Sequence, residues 1–228
     1  MIVDFVTVGP FEENCYLVTD ESAGTAVLVD PGDDGGEIEA MAARRGVAPS
    51  AVWLTHAHLD HIGAVSAVRR AWPGIPVHLH PADALVYAYA ERAAASYGLR
   101  FEQPEPPECE LAEGQIMELG SLRFAVMHVP GHAPGHVAFV GEGIALAGDC
   151  IFNGSVGRTD LPLSDPNAFV GSLDRLLGLP DATVIHPGHG PRTTIGRERH
   201  SNPFLLGAVV VPGTARRVSG AVLRDLNA

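Results

Sequence analysis

The chain has 228 residues, enough for one large domain or two small ones, and its 46% hydrophobic and 18% charged residues can build a globular core. Its 15 Lys and Arg face 27 Asp and Glu, a net charge of −12, which argues against a nucleic-acid partner because phosphate backbones are held by Lys and Arg. No run approaches the ~20 apolar residues of a membrane span, the N-terminus shows no basic-then-apolar leader pattern, and Cys15, Cys109 and Cys150 form no CxxC pair. A cytoplasmic protein with reduced thiols and no membrane partner is expected.

Three short β-type runs open the chain, at 2 to 8, 14 to 19 and 25 to 30, separated by Gly9-Pro10 and a turn at 21 to 24; they predict an antiparallel meander. A helix from Gly36 to Arg45, stopped by Gly46, leads to an apolar strand over 51 to 54. The segment THAHLDH follows directly at 55 to 61 and reads as a loop at that strand's C-terminal end. Helical spacing resumes from Ile62 to Ala71, a strand spans 77 to 79, and Pro81 opens a helix running to about Tyr97. The Pro-rich acidic stretch from Phe101 to Glu110 reads as a surface loop.

Four further strands are predicted near 115 to 119, 122 to 129, 136 to 140 and 143 to 147, then a helix from Pro166 capped by Ser164 or Asp165, then a strand over 183 to 185 that ends in HPGHG. Each half carries a strand ending in Asp, a helix, and a strand ending in His. This weak duplication divides a single 1–228 domain into halves of about 1–110 and 111–205 plus a short C-terminal tail, whose apolar AVVV segment would cover a sheet edge or form a dimer contact. Two β-rich halves stacked face to face with helices outside give an α/β (α+β) fold of four layers, αββα, whose metal loops meet along one edge.

The chemistry concentrates in THAHLDH, which places His56, His58, Asp60 and His61 within six residues. Imidazole and carboxylate are the N/O donors of zinc, iron or manganese. Residues i and i+2 share a face in extended chain, so His56 and His58 can converge on one ion while Asp60 and His61 address a second. His132, Asp149 and His189 stand at later strand ends beside Gly. The ligand set expected is His56, His58 and His132 for one metal, Asp60, His61 and His189 for the other, with Asp149 bridging and a water between. Two Zn²⁺ per chain are expected, with Fe or Mn as alternatives, and they would supply a hydroxide nucleophile near neutral pH. His136 reads as an orienting or turn histidine. Arg197 and Asn202 are either carboxylate binders at the pocket mouth or part of a solvated polar run.

These residues also carry a resemblance. THAHLDH resembles the HxHxDH motif of the metallo-β-lactamase superfamily, and the later PGH, GD and PGHG segments match its remaining ligand positions in order. SVGRTDLP (155 to 162) and GPRTTIGRERHSNPF (190 to 204) are similar to the single-domain, glyoxalase II-like branch. The resemblance implies the αββα fold, a binuclear metal site, and hydrolysis of a small-molecule thioester of the hydroxyacylglutathione kind by a monomer or homodimer. It places Asp30 beneath the metal loop, orienting a ligand His, and gives Asp60 and Asp149 the catalytic roles.

Two departures bear on the substrate. Only 39 residues follow His189 here, so the helical domain with which glyoxalase II enzymes help hold glutathione is not expected. Their Lys-Phe-Tyr contact segment is here Arg158-Thr159-Asp160, in which Arg158 remains able to pair with a substrate carboxylate. The rival enzyme class is a mononuclear iron persulfide dioxygenase built on His56, His132 and Asp149, although Pro162 stands where those enzymes carry Gln. A non-catalytic metal-binding protein is the third class. β-Lactamase activity ranks lower still, because nothing marks an exported enzyme.

Overall fold

The computed structural model describes residues 1–219. Strands β1 (Ile2–Val8), β2 (Glu13–Asp20) and β3 (Thr25–Val29) form the expected meander. Helix α1 (Gly35–Arg45) then crosses over to β4 (Pro49–Trp53), parallel to β3. Helices α2 (Leu59–Ile62) and α3 (Val65–Ala71), strand β5 (Val77–Leu79), a 3₁₀ turn at Pro81–Asp83 and helix α4 (Ala84–Ser96) follow. The short strand β6 (Cys109–Glu110) completes a mixed six-stranded sheet in the order β1 to β6.

The second sheet is built from β7 (Ile116–Leu119), β8 (Leu122–His128), β9 (Val137–Gly141) and β10 (Ile144–Gly148). After the hairpin β11 (Ile151–Phe152) and β12 (Ser155–Val156), helix α5 (Pro166–Leu177) crosses to β13 (Val184–Pro187), parallel to β10. Strand β14 (Thr193–Thr194) and helix α6 (Ile195–Ser201) close the order β14-β13-β10-β9-β8-β7. The unit β3–α1–β4 of one sheet thus has its counterpart in β10–α5–β13 of the other.

Period-two alternation distributes the apolar side chains among three layers. Leu17, Leu28 and Val52 face α1, α3 and α4 on the outside of the first sheet. Val18, Val29 and Trp53 face the second sheet, where Trp53 meets Phe124 and Phe139 at ring-centroid distances of 5.7 and 5.1 Å. Ala145, Ala147 and Ile185 face α5. Strands covered on both faces lose their polar alternation, which is why β3, β10 and the Cys15–Val18 centre of β2 read as continuous apolar runs. This is the four-layer αββα arrangement.

Several boundaries differ from expectation. The helix expected from Ile62 begins at Leu59, so Asp60 and His61 lie on its first turn rather than in the loop. It breaks at Gly63, where the chain packs against the β3–α1 connection; a Cβ there would overlap the Gly32 carbonyl oxygen, and Ala64 N–H donates to Pro31 O (3.0 Å). Asp165 caps α5 by accepting from Asn167 N–H and Ala168 N–H, while Ser164 Oγ donates instead to the His132 carbonyl (2.7 Å). Strands β6, β11, β12 and β14 have only two residues each, too few to show a period. The tail's described part runs along α5: Leu205, Val211 and Val218 are buried against it, and Ser219 N–H and Oγ–H both donate to Asp174. Residues 220–228 lie outside the described part.

Candidate metal centre

The strand order brings the sequence motifs to one edge. β4 leads into Thr55-His56, and the parallel strands β10 and β13 lead into Asp149 and His189. β2 locks the two sheets together there: Asn14 N–H donates to Gly188 O (2.8 Å), Asn14 Nδ2 to Gly190 O (2.8 Å), and the Tyr16 hydroxyl to Pro187 O (2.7 Å). The His189 loop is therefore positioned by the opposite sheet.

Two donor groups expected from the sequence come together: His56, His58 and His132 form one, and Asp60, His61 and His189 the other, with the ligand atoms of each group within 4.8 Å of one another. His58 Nδ1 lies 2.8 Å from His132 Nε2, and His189 Nε2 lies 3.4 Å from Asp60 Oδ2. Asp149 stands between the groups. Its Oδ2 is 3.5 Å from both His132 Nε2 and His189 Nε2, and its Oδ1 is 3.5 Å from His61 Nε2. Nitrogen and oxygen ligands at metal distances of ~2.0–2.1 Å in a tetrahedron sit about 3.3 Å apart, so this spacing suits divalent cations.

The hydrogen bonds around the cluster decide which ring nitrogens point inward. The Asp30 carboxylate accepts from Thr55 N–H (2.7 Å), Thr55 Oγ1–H (2.6 Å) and His61 Nδ1–H (3.0 Å). With its proton given to Asp30, Thr55 Oγ1 accepts from His56 Nδ1–H (3.1 Å). His132 Nδ1–H donates to Arg158 O (2.7 Å). The Nε2 atoms of His56, His61 and His132 are thereby turned towards the cluster, and the buried atoms His56 Nε2, His61 Nε2 and Asp149 Oδ1 have no hydrogen-bond partner. Buried polar atoms without partners are costly, and cations held by the two donor groups, with Asp149 between them, would answer all three.

Electrostatics agree with this fit. Burial and the neighbouring imidazoles push His56 well below the usual histidine range, and burial with His132 takes His58 to about 3, so both present unprotonated nitrogens at neutral pH. Burial opposes charge on Asp149, yet His61, His189 and His132 more than offset it and hold the carboxyl below its ordinary range. His61 moves the other way: against its burial, Asp149 and Asp30 raise it well above the usual range. The cluster is a largely buried N/O donor set in which imidazole and carboxylate charges offset one another.

The chain matches the family model described as Metallo-beta-lactamase superfamily over residues 8–189. It belongs to that superfamily. Among its relatives, hydroxyacylglutathione hydrolase GloC of Haemophilus influenzae is 34% identical over 213 residues, covering 90% of this chain and 98% of that protein. A crystal structure of TTHA1623 in a di-iron-bound form superposes with a TM-score of 0.83 at 47% identity, covering 89% of this chain and all of that one. The BLEG-1 B3 metallo-beta-lactamase also reaches 0.83, at 36% identity, with 90% of this chain and 99% of that one covered. Metallo-beta-lactamase superfamily members are generally hydrolases, and the fold binds divalent metals.

The other site residues divide. Asp30 lies beneath the ligand loop, hydrogen-bonded as described, with φ 51°. His136 Nε2 accepts the Asp149 backbone N–H (3.0 Å), which aims the Asp149 side chain into the metallo-beta-lactamase site. Arg158 lines the cleft above the cluster but is already paired with Asp160 at 2.7 and 2.9 Å. Two expectations are corrected. Asn202 is fully buried, its amide bonded to Ser155 O (2.8 Å) and Glu198 (2.9 Å), so it secures the β11–β12 hairpin instead of meeting substrate. Arg197 is exposed on α6 and does not line the cleft.

Sequence reasoning missed two supporting carboxylates. Asp83 accepts from Ala57 N–H and Gly135 N–H, tying the His56 loop to the His132 loop; burial raises it to about 6. After Pro81 it reads as an ordinary first-turn acid. Glu13 is buried beside His61, with both oxygens unpartnered, and burial raises it well above the usual carboxylate range. On a strand it carries no motif at all.

A glycine gives the first test of this packing. A Cβ at Gly188 would overlap Asp149 Oδ1 and come within 2.8 Å of His61 Cε1. Gly188→Ala is expected to weaken retention of the cation held by Asp60, His61 and His189 at least about tenfold, the scale of other perturbations next to metal ligands. Metal content after dialysis against a weak chelator measures it; content equal to the parent protein's would contradict the assignment.

Proposed function

We propose that the protein hydrolyses a thioester at a binuclear metal centre formed by His56, His58 and His132, by Asp60, His61 and His189, and by Asp149 between them. The observation that carries this reading is the position of the donor set, on the floor of an open, mostly apolar cleft of about 730 Å³. A cavity of that size suits a small-molecule substrate. Two divalent cations, when bound, would supply Lewis acidity and bring the pKa of water towards ~7.

The chain's own residues hold the geometry. Asp30, through Thr55 and directly, fixes the tautomers of His56 and His61, and the Arg158 carbonyl fixes that of His132. Asp60 is held ionised despite burial by its hydrogen bond to His189 and by the charge of His61, so its carboxylate can orient the attacking water and take its proton. Water adds to the thioester carbonyl carbon, the carbon–sulfur bond breaks, and the thiol departs as thiolate. Its pKa near ~8.5 makes it a stable leaving group without a proton donor. The relative named hydroxyacylglutathione hydrolase supports the same chemistry.

The test is elemental mass spectrometry of the purified protein, together with hydrolysis of S-lactoylglutathione and of acetyl and hexanoyl thioesters of N-acetylcysteamine. Close to two zinc, iron or manganese ions per chain with turnover of a thioester is expected. A single iron, oxygen consumption with glutathione persulfide and no thioester turnover would replace this reading with the dioxygenase.

A further inference from the structure

Helix α4 has two apolar faces. Val86, Tyr87, Ala90 and Ala94 are buried towards the first sheet. Leu85, Tyr89, Ala93 and Tyr97 repeat every fourth residue, form a second stripe, and line the cleft. Leu85 is 70% exposed and Tyr97 52%, and across the cleft Leu163 is 54% exposed. Large apolar side chains gathered around one opening mark a surface that another molecule covers. This surface is continuous with the metal-site floor, because His58, Asp60, His132, Asp149 and His189 line the same cleft.

Charge narrows the occupant. Arg158 is the one Lys or Arg among the residues lining the cleft, and Asp160 already holds it through two bonds. Arg92 stacks on Tyr89, 5.5 Å from the ring centroid, and does not line the cleft. The floor adds Asp60 and Asp149, and the whole chain carries −12. Away from the metal centre, the cleft walls offer the carboxylates or phosphates of a charged thiol carrier no Lys or Arg other than Arg158, which Asp160 already holds.

We propose that the cleft is built for a thioester with an uncharged, extended apolar arm lying along Leu85, Tyr89, Ala93 and Tyr97, rather than for a charged carrier of the glutathione or nucleotide kind. The thioester part of this statement rests on the function proposed above; the apolar arm rests on the cleft itself. The arm belongs to the acyl or to the thiol side of the substrate, and chain extension on one side at a time tells which.

Binding is measured first, by calorimetry with non-hydrolysable thioethers, on both the metal-loaded and the metal-stripped protein. S-hexyl-N-acetylcysteamine is expected to bind up to about 1,000-fold more tightly than S-methyl-N-acetylcysteamine, from about fourfold for each of the five added methylenes when buried, and S-methylglutathione is expected to bind no better than the methyl compound. Leu85→Ser with Tyr89→Ser should reduce the hexyl-to-methyl ratio to less than about tenfold, with Leu163→Ser as an independent second variant from the opposite wall. In turnover, kcat/KM should rise with acyl or thiol chain length in the same proportion. Equal binding of hexyl and methyl compounds, or preference for S-methylglutathione, would overturn the proposal, as would a stable dimer that occludes Leu85 and Tyr97 without chain-length dependence. Chain-length-dependent binding with no hydrolysis of any thioester would instead remove the proposed reaction and leave the apolar-arm site standing.

Discussion

Asp60→Asn is expected to lower kcat on a thioester by about 10²–10⁴-fold while KM stays within about threefold, the range for loss of a general base. The effect follows from where Asp60 stands. Its position on the first turn of α2 aims Oδ2 at His189 Nε2 (3.4 Å), and the side chain also lines the cleft. Asn keeps the size and one oxygen acceptor but loses the charge and the capacity to take a proton. Because Asp60 also belongs to the donor set, the comparison requires both proteins at equal metal content, verified by elemental analysis. A kcat equal to the parent's at equal metal content would remove Asp60 from the proton-transfer role, and a rise in KM alone would make it a binding residue.

Chelation should produce the second large effect, on stability as well as activity. The carboxylates of Asp30, Asp60 and Asp149 and the unpartnered oxygens of Glu13 crowd one buried volume with His56 and His61. Each buried polar group without a partner costs about 1–3 kcal/mol, and an ion held at a thousand times its dissociation constant contributes ~4 kcal/mol to the folded state. For a chain of this size one kcal/mol moves Tm by about 2–4 °C. Dialysis against dipicolinate is therefore expected to abolish turnover and lower Tm by roughly 10 °C or more, and two equivalents of zinc, iron or manganese to restore both. Thermal unfolding with and without chelator checks it; identical melting curves would mean that the cluster holds no stabilising cation.

The metal donors were legible in the sequence because their chemistry is local. Four N/O side chains within six residues of THAHLDH exceed what a turn or a helix cap requires, and the Gly-flanked His132, Asp149 and His189 follow at strand ends. The αββα layering was legible for a related reason: strands covered on both faces show as apolar runs, and helices as spaced ones. Asp60 and His61 were placed in a loop because the helical signal begins at Ile62, whereas the observed first turn is made by the motif's own residues.

What the sequence alone could not supply lies in contacts between distant segments. Asp83 joins two loops through backbone N–H groups, Glu13 lies under His61 from the neighbouring strand, and Tyr16 and Asn14 hold a loop of the opposite sheet. Each is a common residue type in an ordinary strand or turn. Asn202 shows the converse, a polar residue near a motif whose hydrogen bonds are all spent inside the fold. The sequence by itself determined the layer architecture and singled out the His and Asp residues that the fold gathers into two candidate donor groups, since periodicity and ligand chemistry act over a few residues. Only the tertiary structure decided which nitrogens face the cluster, which carboxylates support it, and that the cleft above the cluster is apolar with Arg158 already paired, because hydrogen-bond partners and burial are settled where remote segments meet.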